Sequence, residues 1–101
     1  MNLFIGSGKL VRNAVVNGTA NKAMKFTIAT VCNSKKAKVE FVPCVLFNPP
    51  KELEILLTQK GKGVLIKIQG RVSTSKFEVN GEVKYSTQVI VDKGSLNIVG
   101  S

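Results

Sequence analysis

Histidine and tryptophan are absent from the 101 residues, tyrosine occurs once and cysteine twice, and six acidic residues face fifteen Lys and Arg. Each shortage closes a route. Without histidine, the commonest general base and the commonest nitrogen ligand for metals are missing. Cys32 and Cys44 form neither a Cys-x-x-Cys pair nor a zinc pattern. Two cysteines are also too few for a disulfide framework, so both are expected as reduced thiols in the core or along a strand. The carboxylates are scattered, and Glu52 and Glu54 suit a helix start better than a catalytic pair. Neither an enzyme, a metal site nor a cofactor is therefore expected. Gly6-Ser7-Gly8-Lys9 has only the outline of a phosphate loop, because Leu3 stands where the first glycine belongs and Leu10 where a magnesium-binding hydroxyl belongs.

The first residues, Met-Asn-Leu-Phe-Ile-Gly, carry no basic leader, and their apolar run breaks at Gly6. Neither a signal peptide nor a membrane span is expected, and the reading is of a soluble protein of the cytoplasm. What the chain does have is charge of one sign. A net +9 on 10.9 kDa favours a polyanionic partner, with nucleic acid ahead of an anionic membrane surface. With 44% hydrophobic and 21% charged residues, the composition is that of a folded domain. Residues 1–101 show no repeat, linker or low-complexity tract, so one domain is expected.

Periodicity points to strands. Met24, Phe26 and Ile28 alternate with Lys25 and Thr27, and Val64, Ile66, Ile68, Gly70 and Val72 share one face opposite Lys67, Gln69 and Arg71. Residues 41–47 are apolar on both faces, 85–91 form another β-rich run, and Leu96 to Val99 is expected to close the sheet on itself. Asn17-Gly18 and Asn80-Gly81 are hairpin-turn dipeptides. One short helix is expected after Pro49-Pro50, with Leu53, Ile55, Leu56 and Leu57 packing and Gly61 stopping it. About five strands with one helix after the third match an all-β, five-stranded oligonucleotide/oligosaccharide-binding (OB) barrel of Greek-key type, with its short helix between strands 3 and 4.

Residues two apart on a strand share a face, so Phe41, Pro43, Val45 and Phe47 oppose Val42, Cys44 and Leu46. If the second row fills the core, Phe41 and Phe47 are exposed and available to stack on bases. Spacing alone leaves two other readings open: the phenylalanines are themselves the core row, or a second subunit covers their face. Phe77, beside Lys76 and before the Asn80-Gly81 turn, is either an aromatic on a mobile arm or hairpin packing. Residues 33–38, N-S-K-K-A-K, offer Lys35, Lys36 and Lys38 to a phosphate backbone, although many such loops are merely solvated. Lys25, Lys60, Lys62, Lys67, Arg71, Lys76 and Lys84 lie on or near the strands in a distribution that suits a groove.

Four segments, Phe26-Thr27-Ile28-Ala29-Thr30, Val45-Leu46-Phe47, residues 70–77 (GRVSTSKF) and residues 84–91 (KYSTQVIV), resemble successive motifs of the bacterial single-stranded DNA-binding protein family. Asn17-Gly18-Thr19-Ala20 precedes the first and Lys60-Gly61 lies between the second and third, as in that family. The resemblance implies that Phe41, at a position usually held by tryptophan, Phe47 and Phe77 stack on bases. It also assigns Lys60 and Lys76 to basic positions. Ser34 stands where many members have tryptophan, and Pro43, Ser73 and Ser75 stand where basic residues are frequent; Lys35, Lys36, Lys38 and Arg71 are expected to compensate. Pro43 lacks an N–H and should mark an edge or irregular pairing. The resemblance further implies single-stranded DNA as partner, replication, recombination and repair as the setting, and a nucleoid-associated place in the cytoplasm. Homo-oligomers are implied too, tetramers above dimers, joined partly through the N-terminal strand. The acidic C-terminal tail with which family members recruit other proteins is not seen after Gly100-Ser101. A primosomal accessory protein with the same barrel and an RNA-binding OB module are the alternatives.

Overall fold

The computed structural model describes residues 3–32 and 38–100, with 31, 32 and 38 described through their backbone alone. Five long strands form a closed ring: β1 (Phe4–Leu10), β3 (Ala23–Cys32), β4 (Lys38–Phe47), β5 (Leu65–Val79) and β6 (Glu82–Val91). The ring runs β1-β3-β4-β6-β5 and back to β1, with every pairing antiparallel except that of β4 with β6. The helix α1 (Lys51–Lys60) follows the third long strand, and two short strands, β2 (Val15–Asn17) on β3 and β7 (Asn97–Gly100) on β5, complete an OB fold. The expectation that residues 96–99 close the sheet is corrected. β1 closes it, pairing six residues from Phe4↔Gly70 to Lys9↔Leu65, while β7 lies along the opposite edge of Leu65–Lys67.

A closed ring of strands has one inside, and alternation decides who occupies it. Met24, Phe26 and Ile28 from β3, Cys44 and Leu46 from β4, Ile66 and Ile68 from β5, and Val89 and Val91 from β6 make one buried cluster, with Phe4 and Val42 packed at its margin. The open end below is plugged by α1. Glu52 and Glu54 occupy its positive first turn and Lys60 its last, but Pro50 at the N-cap supplies no side-chain hydrogen bond. Leu57 is fully buried and Leu53, one turn earlier, packs against the cluster. Ile55 and Leu56, expected to pack as well, are exposed, because ten residues present only one stripe to so narrow an opening.

Gly61 ends the helix for a different reason from the one expected. Its φ of −74° is right-handed, and the positive φ falls at Gly63. A Cβ on Gly61 would stand 2.2 Å from the Leu57 carbonyl oxygen and 3.0 Å from Leu10 Cδ2, so close approach to the helix and β1 is what requires glycine. At the far end Asn80 and Gly81, with φ of 52° and 80°, form the two-residue hairpin turn between Val79 and Glu82. The Asn17-Gly18 turn is longer, since residues 18–22 intervene before Ala23 pairs with Asn17. β5 and β6 run on past the ring as a two-stranded arm, exposed at every residue from Thr74 to Thr87.

Pro43 lies at one of the two seams of the ring that hold only two registered pairs. The Thr27 carbonyl accepts the Val11 N–H at 3.0 Å, so Thr27 turns its backbone groups towards β1 and its pairing with Pro43 is of the wide, non-bonded kind. Pro43 therefore directs its nitrogen at β6, where it has no proton to give. The parallel ladder is registered only at Cys44↔Val89 and Val45↔Ile90. This is the irregular pairing anticipated for that proline.

Burial pushes the Cys44 thiol up to about 12, and its Sγ donates at 3.5 Å to the Val42 carbonyl. Below about pH 9 the thiol is neutral folded or unfolded and leaves stability unchanged; between about 9 and 12 only the unfolded chain sheds the proton, so stability falls as pH rises. In a Cys32→Ser background, Ellman's reagent at pH 8 should leave the native protein unlabelled and label one thiol after denaturation. Labelling of the folded chain at the rate of a free thiol would contradict this burial. Gly61→Ala should cost on the order of 1–3 kcal/mol, read as a lowered chemical-denaturation midpoint, since carbonyl and helix must shift to admit one carbon. An unchanged midpoint would mean the close approach is relaxed at no cost.

Candidate functional site

With Cys44 and Leu46 inside, Phe41 and Phe47 stand on the outer face of β4, 66% and 50% exposed. Six residues apart, they lie roughly 20 Å from each other along the strand. Between them are Pro43 and Val45, and the paired residues on either side form rows across the sheet. Lys25, Val45, Ile90 and Arg71 are successive cross-strand partners in one row. Thr27 pairs with Pro43, and Gln88 with Ser73, in the next. Val45 departs from its row in being buried, at 2%.

A groove of about 470 Å³ crosses this face, walled by Arg12, Asn13, Lys25, Thr27, Pro43 and Gln88 among others. Asn13 ties its end to the helix: the side-chain Nδ2 donates to the Gln59 carbonyl at 3.3 Å, and Oδ1 accepts the Lys62 N–H at 2.9 Å. Lys62 and the last turn of α1, where Lys60 is exposed, are thereby held beside Arg12 at the mouth of the groove. The one ion pair among the described residues joins Lys22 to Glu54 at 3.3 Å, away from these cations. Arg12, Lys25 and Arg71 are thus uncompensated by any carboxylate among the described residues and exposed to an anionic ligand.

Alternation separates the remaining predicted residues. On the arm, Phe77 pairs with Lys84 and continues the outer face, whereas Lys76 pairs with Tyr85 on the other side of the ribbon. Phe77 is 43% exposed. Lys76 is therefore not a neighbour of Phe77 on one surface. Lys67 sits on the outer face of β5 where that strand pairs with β1 and β7, lining a different hollow with Ile5, Gln69, Ser95 and Asn97. β6 separates it from β4 on one side, and β1 and β3 on the other. Lys38 opens β4 opposite Cys32, and Lys35 and Lys36 lie outside the described residues, as does Ser34.

Three residues in this geometry were not anticipated. Arg12 follows β1 as an isolated cation, with no pattern around it to suggest a role. Gln88 faces outwards between exposed Thr87 and buried Val89, and only the β4–β6 pairing brings it to the groove. Tyr85 is 67% exposed, more than any of the phenylalanines that the face presents. Its signal was available, since it shares parity with Val89 and Val91 but lies beyond the ring, where that row has no interior to enter.

Residues 1–97 match the family model described as the single-strand binding protein family. A single-stranded DNA-binding protein of Clostridium perfringens (strain 13 / Type A) is 26% identical over 96 residues, covering 91% of this chain and 63% of the relative. One from Clostridium tetani (strain Massachusetts / E88) is 28% identical over 100 residues, covering 92% and 68%. The chain thus spans about two thirds of the length of these relatives. Among solved structures, a Plasmodium falciparum SSB in complex with ssDNA superposes with a TM-score of 0.78 at 18% identity, covering 100% of this chain and 95% of the other. The mitochondrial single-stranded DNA-binding protein of S. cerevisiae gives 0.75 at 17% identity, covering 98% and 95%. At such identities the structural likeness is one of fold.

Proposed function

The chain belongs to the single-strand binding protein family, and on that premise we propose that it coats single-stranded DNA without strong sequence preference during replication, recombination and repair. The observation that carries this reading is the outer face of β4: two exposed phenylalanines roughly 20 Å apart, bracketing a groove whose cations have no carboxylate among the described residues. Every base has a π-face, so stacking on Phe41 and Phe47 is worth about 1–3 kcal/mol per base whatever the sequence. Lys25, Arg71 and Arg12 neutralise phosphates between the two rings, Lys60 and Lys62 extend the track at the helix end, and Phe77 with Lys84 extends it along the arm. Lys35, Lys36 and Lys38 are assigned to the same backbone. Nothing in this chemistry forms or breaks a covalent bond, so the protein acts as a binder and not as an enzyme. It works as one domain, at the nucleoid in the cytoplasm.

Homo-oligomers, tetramers above dimers, belong to the same proposal. Phe4 to Gly8 pair with β5 along one edge, and among the described residues their other edge meets no strand; Leu3 and Ile5 are exposed beside it. A second copy would cover both. A mass of four chains by light scattering is expected, and a monomer at micromolar concentration would refute assembly.

The test of binding is anisotropy titration of labelled oligo-dT at two salt concentrations, with duplex DNA and oligo-U as competitors. Tight, salt-dependent preference for oligo-dT is expected. Preference for oligo-U would give the barrel to RNA instead, and weak binding to all three would favour a protein-directed accessory role. Phe47→Ala should lose about 1–3 kcal/mol of affinity with the salt slope intact. Lys25→Ala should flatten that slope by about 0.7, while Lys67→Ala, on the far wall, should leave it unchanged. If Lys67 and Lys25 count equally, the groove is not the path.

A further inference from the structure

The seam at Pro43 has a consequence for how a base is held. With no N–H from Pro43 and a ladder of two registered pairs, β4 and β6 part just beyond Cys44 and Val89. Two hollows meet at that gap. The groove on the outer face and a second hollow of about 270 Å³, bounded by Phe4, Phe41 and Val72, both have Pro43 and Gln88 in their walls. Gln88 is the one polar side chain common to the two. It is half-buried, and its carboxamide has no hydrogen-bond partner among the described residues. Phe41 and Gln88 line the second hollow together, two residues along the strand and one strand across from each other. A base lying on the Phe41 ring then presents its hydrogen-bonding edge within the reach of a glutamine.

Building on the single-strand binding proposed above, we propose that Gln88 hydrogen-bonds the edge of the base stacked on Phe41, and that its amide turns over to suit whichever base arrives. A carboxamide holds an acceptor and a donor side by side in one plane, and half a rotation about its terminal bond exchanges them. Each base shows a donor beside an acceptor on its pairing edge, in one order or the other. The same side chain therefore satisfies all four, which gives a hydrogen-bonded base pocket without sequence preference. A leucine there would strand the polar edge of every base, and a glutamate would choose among them. A carboxylate has acceptors only. It takes an amino proton from cytosine, as acidic side chains do in duplex readout, but against thymine it meets a single N–H set between two carbonyl oxygens.

The experiment is affinity for oligo-dT and oligo-dC, measured side by side with the wild type and Gln88→Glu. The added negative charge weakens both through the phosphates, so the quantity read is the ratio. Glutamate should shift that ratio about tenfold in favour of oligo-dC, and an unchanged ratio would overturn the assignment whatever the loss in absolute affinity. Should the Glu variant fail to fold, Gln88→Ala on oligo-dT and on an abasic oligomer serves instead: a several-fold loss of affinity for oligo-dT with no loss for the abasic strand is expected, and equal losses would overturn it. A wild type that binds neither oligomer would remove the single-strand reading itself. Binding with a flat ratio removes only the role of Gln88.

Discussion

Closure of β5 onto β1 is the pairing on which the remaining geometry depends. Six residues of β1 lie along Leu65 to Gly70, and once that edge is joined the sheet has an inside that is too small for more than one row of each strand. Met24, Phe26, Ile28, Leu46, Ile66 and Ile68 fill it. Everything of opposite parity is then turned outwards, whatever its hydrophobicity. Phe41 and Phe47 are outside for this reason, and their exposure costs the core nothing because the core is complete without them. The proposed binding face, with its exposed apolar rings, is thus a product of strand alternation around a filled ring.

Closure on the other side is looser, and the residues proposed to bind the strand gather there. The parallel seam between β4 and β6 interrupts at Pro43, and the groove, the hollow beside Phe41 and the amide of Gln88, unpartnered among the described residues, all border that interruption. The long ladders of β1 with β5, β3 with β4 and β5 with β6 set the positions of the strands, while the two-pair seam of β4 with β6 leaves space and polar capacity beside it. Helix α1 serves the same face indirectly, since Asn13 bonds both the end of the helix and the turn after it while lining the groove.

Local patterns carried the sequence reading a long way. The alternation over Met24 to Ile28, the Asn80-Gly81 turn and the helix after Pro49-Pro50 each depend on neighbours within a few residues, and the structure has them as read, whereas spacing leaves open which row of β4 is the core and the burial of Cys44 and Leu46 decides it. What depended on distant pairing was less legible. No local signal tells that β1 rather than residues 96–99 closes the ring, or that Lys67 faces the wall away from β4. Lys76 and Phe77 looked like one site because they adjoin in sequence, although adjacency on a strand places them on opposite faces. Gly61 was rightly placed at the end of the helix but for the wrong cause, because contact with Leu57 and Leu10 is a tertiary fact. Arg12 and Gln88 carried no pattern at all.

Ultraviolet cross-linking of oligo-dT to the protein, followed by peptide mapping, tests the central claim most directly, because it reports which surface the strand occupies. Cross-links are expected at Phe41 and Phe47 on β4, with Phe77 on the arm as a third. Cross-links concentrated on the wall of β1, β5 and β7 around Lys67, with the two phenylalanines of β4 unmodified, would contradict the account.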